Sequence, residues 1–380
     1  MSGTDAFLTR LRAFAQGSVA AAAPRWSLGD APDPALYREA ADIGLLGTTV
    51  PATHGGQAHD FATLVAACQT LAAVDFGFAM SLVNTHNVGL RLCLSAGDAL
   101  RDRYLPQILK GEISACTALT EPGAGTDFAA ITTQAVETET GWRLNGGKRW
   151  IINGRHAGAA MVFAQCKSMG DASGIAGFFV DLSLPGARRF AIESGFSQSS
   201  MGTGGFELTD VEVGAECLLL PPGTAFKAIL TEINAARTYV AAMCDAMLGA
   251  AIDEAAAYGA QRMSFGQTLD QHPSWRQPLG AAQADLAAST ALTAQAVARI
   301  TEGADAQLTA AQAKITAVET AQRHLPALLH AMGAAGLEPE RCFTRHLAAA
   351  QIAGLTDGAT SILRDRVARL TQARNVKDRR

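Results

Sequence analysis

The chain has 380 residues, 48% hydrophobic and 17% charged, with a formal net charge of −4. That is long enough for two or three domains with their own cores and too apolar for an intrinsically disordered protein. The slightly acidic balance provides no global field for nucleic acid, and the basic end Lys377-Asp378-Arg379-Arg380 reads as a solvated tail.

Seven cysteines are scattered along the chain without a CxxC pair or a short-range Cys/His cluster. The odd count and wide spacing argue against a disulfide framework and against a metal site; the thiols read as small buried hydrophobes in a reducing compartment. No apolar run approaches the ~18 residues of a membrane span. The opening Met-Ser-Gly-Thr-Asp lacks the charged-then-apolar pattern of a signal peptide. A cytoplasmic protein that binds neither membrane nor nucleic acid is expected.

From residue 4 to about 110 the chain reads as helix. Phe7, Leu11 and Phe14 recur at i, i+4, i+7, as do Leu64, Cys68 and Leu71, marking one face of a helix. The alanine-rich stretch Val19–Ala23 is expected to stop at Pro24. Asp33-Pro34 predicts an N-cap followed by proline at the first helical position. Asp98 predicts a similar cap for the helix carrying Leu105, Ile108 and Leu109, and residues 50–56 form a turn-rich break.

The pattern changes near Gly111. Between Ile113 and Val213 short β-type runs alternate with turn residues, at spacings typical of a sandwich or barrel. Trp142–Lys148 predicts a hairpin turning at Asn145-Gly146. Phe206, Leu208, Val211 and Val213 predict another strand, with a slip in its alternation at Thr209-Asp210. After Pro221-Pro222-Gly223 helix returns; Ile315, Val318, Gln322, Leu325 and Leu329 keep helical spacing, and Pro326 predicts a kink.

Ala118-Leu119-Thr120-Glu121-Pro122-Gly123-Ala124-Gly125-Thr126-Asp127 is a polar, glycine-containing loop after a predicted strand. Gly123 and Gly125 allow close approach of a flat or anionic ligand, and Thr120 and Thr126 offer hydroxyls. On those grounds alone an ordinary surface loop is equally admissible.

The run resembles the flavin-wrapping signature of the acyl-CoA dehydrogenases, and five further blocks fall in that family's order. Gly44-Leu45-Leu46 with Val50-Pro51 and His54-Gly55-Gly56 resembles its N-terminal signature. Arg103-Tyr104-Leu105-Pro106 with Lys110-Gly111-Glu112 resembles the approach to its β-domain. Residues 148–154, Lys-Arg-Trp-Ile-Ile-Asn-Gly, are similar to its second flavin motif, and Arg262-Met263-Ser264-Phe265-Gly266 to its pyrophosphate-binding helix. Gly333-Ala334-Ala335-Gly336 resembles a weakened form of its C-terminal glycine motif.

The resemblance implies a mostly α fold with a central β-domain. An N-terminal helical domain would span 1–112, a β-sandwich or barrel domain 113–221, and a C-terminal four-helix bundle 222–380. FAD would lie between the last two, and the usual assembly is a homotetramer, less often a dimer. Thr117, Leu119, Thr120, Gly125 and Thr126 would line the isoalloxazine, with Trp150 stacked on it beside Ile151 and Ile152. Arg262, Ser264 and Phe265 would meet the pyrophosphate region, where a guanidinium fork suits phosphate oxygens. His330, Gly333 and Ala334 would reach the adenine end of FAD on a neighbouring subunit, and Ala359 and Ser361 would also touch the cofactor. Three positions depart from the family: His330 stands for the usual glutamine, Ala334 for a glycine, and Ile152 for a Thr or Ser near flavin N5. Without that hydroxyl, stabilisation of the reduced flavin weakens.

Family members remove a proton α to a thioester while the β-hydrogen leaves as hydride to flavin N5. The base is usually the glutamate of Tyr-Glu-Gly, with an arginine seven residues on. Here Thr356-Asp357-Gly358 and Arg364 keep that frame, so Asp357 takes the base position; the alternative position of another branch is Ala236. Aspartate withdraws the carboxylate by roughly 1.5 Å, one bond length. Thr126, Arg237, Thr356 and Gly358 would bound the substrate. Three readings stay open. The first is dehydrogenation of an acyl-CoA or acyl-carrier-protein thioester, with electrons passing to an electron-transfer flavoprotein. The second is oxidation of a small carbon acid, as in nitroalkane oxidases, which use an aspartate base. The third is a non-catalytic partner subunit in which Asp357 merely caps a helix.

Overall fold

A computed structural model of the chain describes residues 3–167, 173–193, 196 and 198–377. The first part is helical: α1 (Gly3–Phe14), α2 (Ala20–Ser27), α3 (Pro34–Ile43), α4 (Phe61–Ala72), α5 (Phe76–Ser95) and α6 (Asp98–Leu109). The two predicted helical faces, Phe7/Leu11/Phe14 and Leu64/Cys68/Leu71, both enter one core. Asp33 caps α3 as expected, its side chain accepting the Ala35 N–H at 2.8 Å with Pro34 at the first position. Two local expectations fail. Gly97, not Asp98, is the N-cap of α6; Asp98 is already helical and pairs with Arg101, a favourable place for an anion in a first turn. Pro24 does not stop α2, which follows a π-helical segment, Ala15–Val19, and runs on to bury Trp26. Tertiary burial there outweighs the proline's local preference.

The middle of the chain builds one mixed sheet from β1 (Ala115–Ala118), β2 (Gln134–Glu137), β3 (Gly141–Ile151), β4 (Ala159–Lys167), β5 (Ser173–Asp181), β6 (Ala187–Ala191), β7 (Gly204–Gly214) and β8 (Leu218–Leu220). The order is β6-β7-β3-β2-β4-β5-β8, with β1 parallel to β4. The expected hairpin at Asn145-Gly146 is absent, because β3 continues straight through it. A register shift between Leu144 and Gly146 faces Asp210 of β7, which has φ 49°. Asn145 exchanges hydrogen bonds with Asp210, accepting its N–H at 2.9 Å and donating to its carboxylate at 3.0 Å. The Asn-Gly signal and the slip at Thr209-Asp210 are two sides of one bulge. Gly146, at φ 146°, is required there, since a Cβ would meet Thr133 at 2.6 Å.

Helix then returns as α7 (Ala225–Gly259), α8 (Pro273–Thr301), α9 (Gln307–Met332), α10 (Phe343–Ala353) and α11 (Thr360–Lys377). Arg262–Gly266, expected on a helix, lies beyond the end of α7 in the short hairpin β9 (Met263–Ser264)–β10 (Gln267–Thr268), whose turn holds Phe265 and Gly266 left-handed. α9 passes through Pro326 and packs against α7, α8, α10 and α11. The core of α1–α5 is continuous with that of α7–α10, while the sheet closes a second core with the ends of α5, α6 and α7. Six of the seven free thiols are buried, as expected, and Cys93 is half-buried. Among the described residues no helix is long and apolar enough to cross a membrane.

Candidate active site

Asp357 lies in the turn joining α10 to α11. Its φ is 50° and that of Gly358 is 99°, so two successive residues are left-handed, a conformation aspartate tolerates better than most side chains. The turn is pinned from behind. Arg237 of α7 donates through Nε to the Asp357 carbonyl at 3.0 Å. Lys314 of α9 donates through Nζ to the carbonyls on either side, those of Thr356 and of Gly358, the latter at 2.6 Å. Among the described residues neither cation makes an ion pair with the Asp357 carboxylate, and no N–H of α11 caps it. Burial raises the proton affinity of Asp357 above the usual carboxylate range, against the opposing charges of Lys314 and Arg237. Arg364, seven residues on, points elsewhere and pairs with Glu319 at 2.7 Å.

Helix α5 ties this turn to the loop of residues 118–127. Asn84 and Asn87 lie three residues apart on one helical face. Asn84 accepts the Thr117 N–H of β1 at 3.1 Å, and Asn87 donates to the Tyr239 hydroxyl at 3.3 Å. Tyr239 is buried within the electrostatic reach of Asp357. The loop itself is held by its buried Glu121, which accepts Lys148 of β3 at 2.8 Å and both the N–H and hydroxyl groups of Thr132 and Thr133. Arg149 N–H adds a bond to the Thr120 carbonyl at 3.1 Å. Around Gly123 and Gly125 a Cβ would meet nothing within 4 Å. Packing within the chain therefore does not demand these glycines, which leaves room for a closely approaching ligand.

Trp150 has φ 61° and stays 54% exposed, an apolar ring available for stacking. Ile151 points into the sheet core and Ile152 is half-buried, so Ile151 offers a ligand its backbone rather than its side chain. Asn153, also left-handed, anchors this segment through its amide to the Ser81 and Ala115 carbonyls at 2.8 and 2.9 Å.

A second group forms at the end of the bundle. A cleft of about 620 Å³ is lined by Arg262, Gly333 and Ala334 together with Tyr258, Glu338 and Arg341. Gly333 takes φ 60° with open space above it. Ser264 and Phe265 sit on the adjoining hairpin and His330 on the last turn of α9, all outside the cleft lining, with Phe265 98% exposed. Ala359 immediately precedes α11 and the exposed Ser361 lies in its first turn, beside the Asp357 turn. The fold thus joins Thr356, Asp357, Gly358 and Arg237 in one cluster and Arg262, Gly333 and Ala334 in another. Thr117, Leu119, Thr120, Gly125, Thr126 and Trp150 make a third. An aromatic face, open glycines and a cleft holding an arginine together fit a dinucleotide-sized flavin.

Sequence reading missed Lys314 and the Asn84/Asn87 pair. Lys314 had left a signal: it is a charged residue in the buried stripe Ala310, Lys314, Ala317, Ala321.

Three family models cover the chain in order: acyl-CoA dehydrogenase N-terminal domain over residues 3–112, middle domain over 116–211, and C-terminal domain over 223–371. A short-chain-specific acyl-CoA dehydrogenase of Megasphaera elsdenii is 28% identical over 335 residues, 87% of this chain and 88% of the relative. The cyclohexane-1-carbonyl-CoA dehydrogenase of Syntrophus aciditrophicus is 27% identical, covering 88% of each. The solved structure of butyryl-CoA dehydrogenase from Megasphaera elsdenii superposes with a TM-score of 0.90 at 25% identity, over 98% of this chain and 99% of that one. With all three of its domains matched in sequence, the chain belongs to the acyl-CoA dehydrogenases, a family of FAD-dependent flavoprotein oxidoreductases.

Proposed function

We propose that the chain catalyses FAD-dependent α,β-dehydrogenation of an acyl-CoA thioester, with Asp357 as the base. The observation that carries this reading is the Asp357 turn, in which a carboxylate of raised proton affinity is held on a fixed backbone with no donor among the described residues occupying it. Such a group can take the proton from the α-carbon. Bound FAD supplies the electron acceptor for the hydrogen that leaves the β-carbon with its electron pair, and the α-carbon's electrons form the new double bond. The carboxylate is withdrawn by roughly 1.5 Å relative to a glutamate. Thr356 in place of a tyrosine leaves room for the thioester to approach by that much.

The pyrimidine edge of the flavin would meet Thr117, Leu119, Thr120, Gly125 and Thr126, its ring Trp150, Ile151 and Ile152, and its C-terminal side Ala359 and Ser361. Arg262, Ser264 and Phe265 would hold the pyrophosphate region, and His330, Gly333 and Ala334 the adenine end. The nearly fully exposed Phe265 and the separation of the bundle-end cleft from the loop suit completion by a second copy, in a homotetramer. Thr126, Arg237, Thr356 and Gly358 would border the thioester. Small acyl groups suit the short-chain and cyclohexane-1-carbonyl relatives. An electron-transfer flavoprotein would take the electrons, and the free buried thiols suit a reducing cytoplasm.

Anaerobic titration of the FAD-loaded protein with butyryl-CoA, longer acyl-CoAs, cyclohexane-1-carbonyl-CoA and acyl-carrier protein tests the reading. At least one acyl-CoA should bleach the flavin. A flavin that every thioester leaves oxidised sinks the proposal, and oxygen uptake with a nitroalkane under the same conditions would replace it with the oxidase.

A further inference from the structure

Lys314 is fully enclosed in the middle of α9. A buried ammonium is costly unless both its donors and its charge are met. Its donors go to the Thr356 and Gly358 carbonyls, the groups immediately before and after Asp357. Its charge finds no carboxylate in contact among the described residues. The groups that act on it are Asp357 across the turn and Cys244 of α7, which favour its proton, and Arg237 of α7, which opposes it. Arg366 of α11 acts on Arg237 in turn. Burial outweighs these and brings Lys314 down to about 8.

This arrangement matters because Asp357 has little slack. Its side chain is a methylene shorter than glutamate, so the carboxylate goes where the backbone puts it, and that backbone is left-handed. Fixing the carbonyls on both sides prevents residue 357 from relaxing to an extended conformation that would turn the carboxylate away. A direct ion pair would also fix the carboxylate, but it would occupy the oxygens that must accept the substrate proton. A cation bonded to the flanking carbonyls leaves them free.

We propose that Lys314 is the positioning residue of the Asp357 base, holding its turn through the flanking carbonyls and placing a positive charge behind its carboxylate without touching it. The inference rests on Asp357 acting as the base. In FAD-loaded enzyme with a short acyl-CoA, Lys314→Met should lower kcat about a hundredfold and leave KM within about threefold. The acidic limb of kcat/KM should move up by about one pH unit or more, because an opposite charge has been lost near a carboxylate. Lys314→Arg should return the limb to its wild-type position. An unmoved limb in Lys314→Met, or a KM that changes as much as kcat, overturns the proposal.

A second arm needs neither turnover nor a folded Lys314 variant. The unfolded chain keeps the lysine proton to about pH 10.5, whereas the folded chain releases it near pH 8, so this group makes stability climb as pH rises above about 8. In Asp357→Asn the lysine loses its attracting charge, and the climb in melting temperature should begin at lower pH than in wild type. Onsets that coincide overturn the proposal even if no thioester proves to be a substrate.

Discussion

Glu121 and Lys148 meet at 2.8 Å inside the β-domain, one on the loop of residues 118–127 and the other on β3 beneath it. Lys148 also donates to the Leu119 carbonyl at 3.1 Å, so one ammonium secures the loop twice. Removing one partner of a buried pair strands the other charge, at a cost of about 3–5 kcal/mol. Lys148→Met should lower the melting temperature accordingly and release flavin below the unfolding transition. Flavin fluorescence and circular dichroism recorded on one sample check this; a variant that retains flavin up to the wild-type transition contradicts it.

The same cluster predicts an acid limb. Burial would raise Glu121, but hydrogen bonds from Lys148, Thr133 and Thr132 outweigh it and hold the carboxyl at about 2, below its ordinary 4.5. A depressed carboxylate contributes stability that is present above pH 4.5 and lost as pH falls from 4.5 towards 2. Glu121→Gln should therefore melt lower than wild type at pH 7, with the gap closing toward pH 3. Equal gaps at both pH values would remove Glu121 from the account.

Asp357→Asn keeps the size and the left-handed preference of the residue but removes the base. Turnover should fall by about 10²–10⁴-fold with flavin content unchanged. Asp357→Glu pushes the carboxylate forward by roughly one bond length, 1.5 Å. It should retain turnover well above the asparagine variant yet below wild type on the preferred thioester. Stopped-flow flavin reduction measures both; wild-type rates in Asp357→Asn would exclude the residue from chemistry.

Much of the fold was legible because its signals are local. The helical faces at Phe7 and Leu64, the Asp33-Pro34 cap and the glycine loop depend on neighbours a few residues away. The Asn145-Gly146 misreading shows the limit. A two-residue turn and a bulge use the same glycine conformation, and only the strand opposite, with Asp210 left-handed against Asn145, decides between them. In the candidate site, the flanking frame singled out Asp357, but the support of its turn was not legible. Lys314 and the Asn84/Asn87 pair reach the turn and the loop from distant helices; spacing marks Lys314 as a charge in a buried stripe but carries no record of what it holds, and Arg237, expected beside the substrate, also binds the Asp357 carbonyl. Arg364 illustrates the converse, since its place in the frame is kept while its side chain pairs with Glu319.

Asp245 lies on α7, outside the three site clusters. It is buried between α7 and α8, accepting hydroxyl hydrogen bonds from Ser289 and, at 2.7 Å, from Thr293. Burial raises it from 3.8 to about 6 despite those bonds. A raised carboxyl means the folded chain holds its proton to higher pH than the unfolded chain. Stability from this group is therefore greatest below about pH 4, declines as pH rises to 6, and stays low above it. Asp245→Asn removes the charge and keeps an acceptor oxygen, and the serine or threonine hydroxyl can rotate to receive the new N–H. The variant should be more stable than wild type at pH 8 by about 2 kcal/mol, the scale of moving a carboxyl from 3.8 to about 6 after partial compensation. The advantage should vanish near pH 4. Melting curves at the two pH values decide it: a variant that melts below wild type at pH 8 would mean that the two hydroxyl bonds outweigh the buried charge.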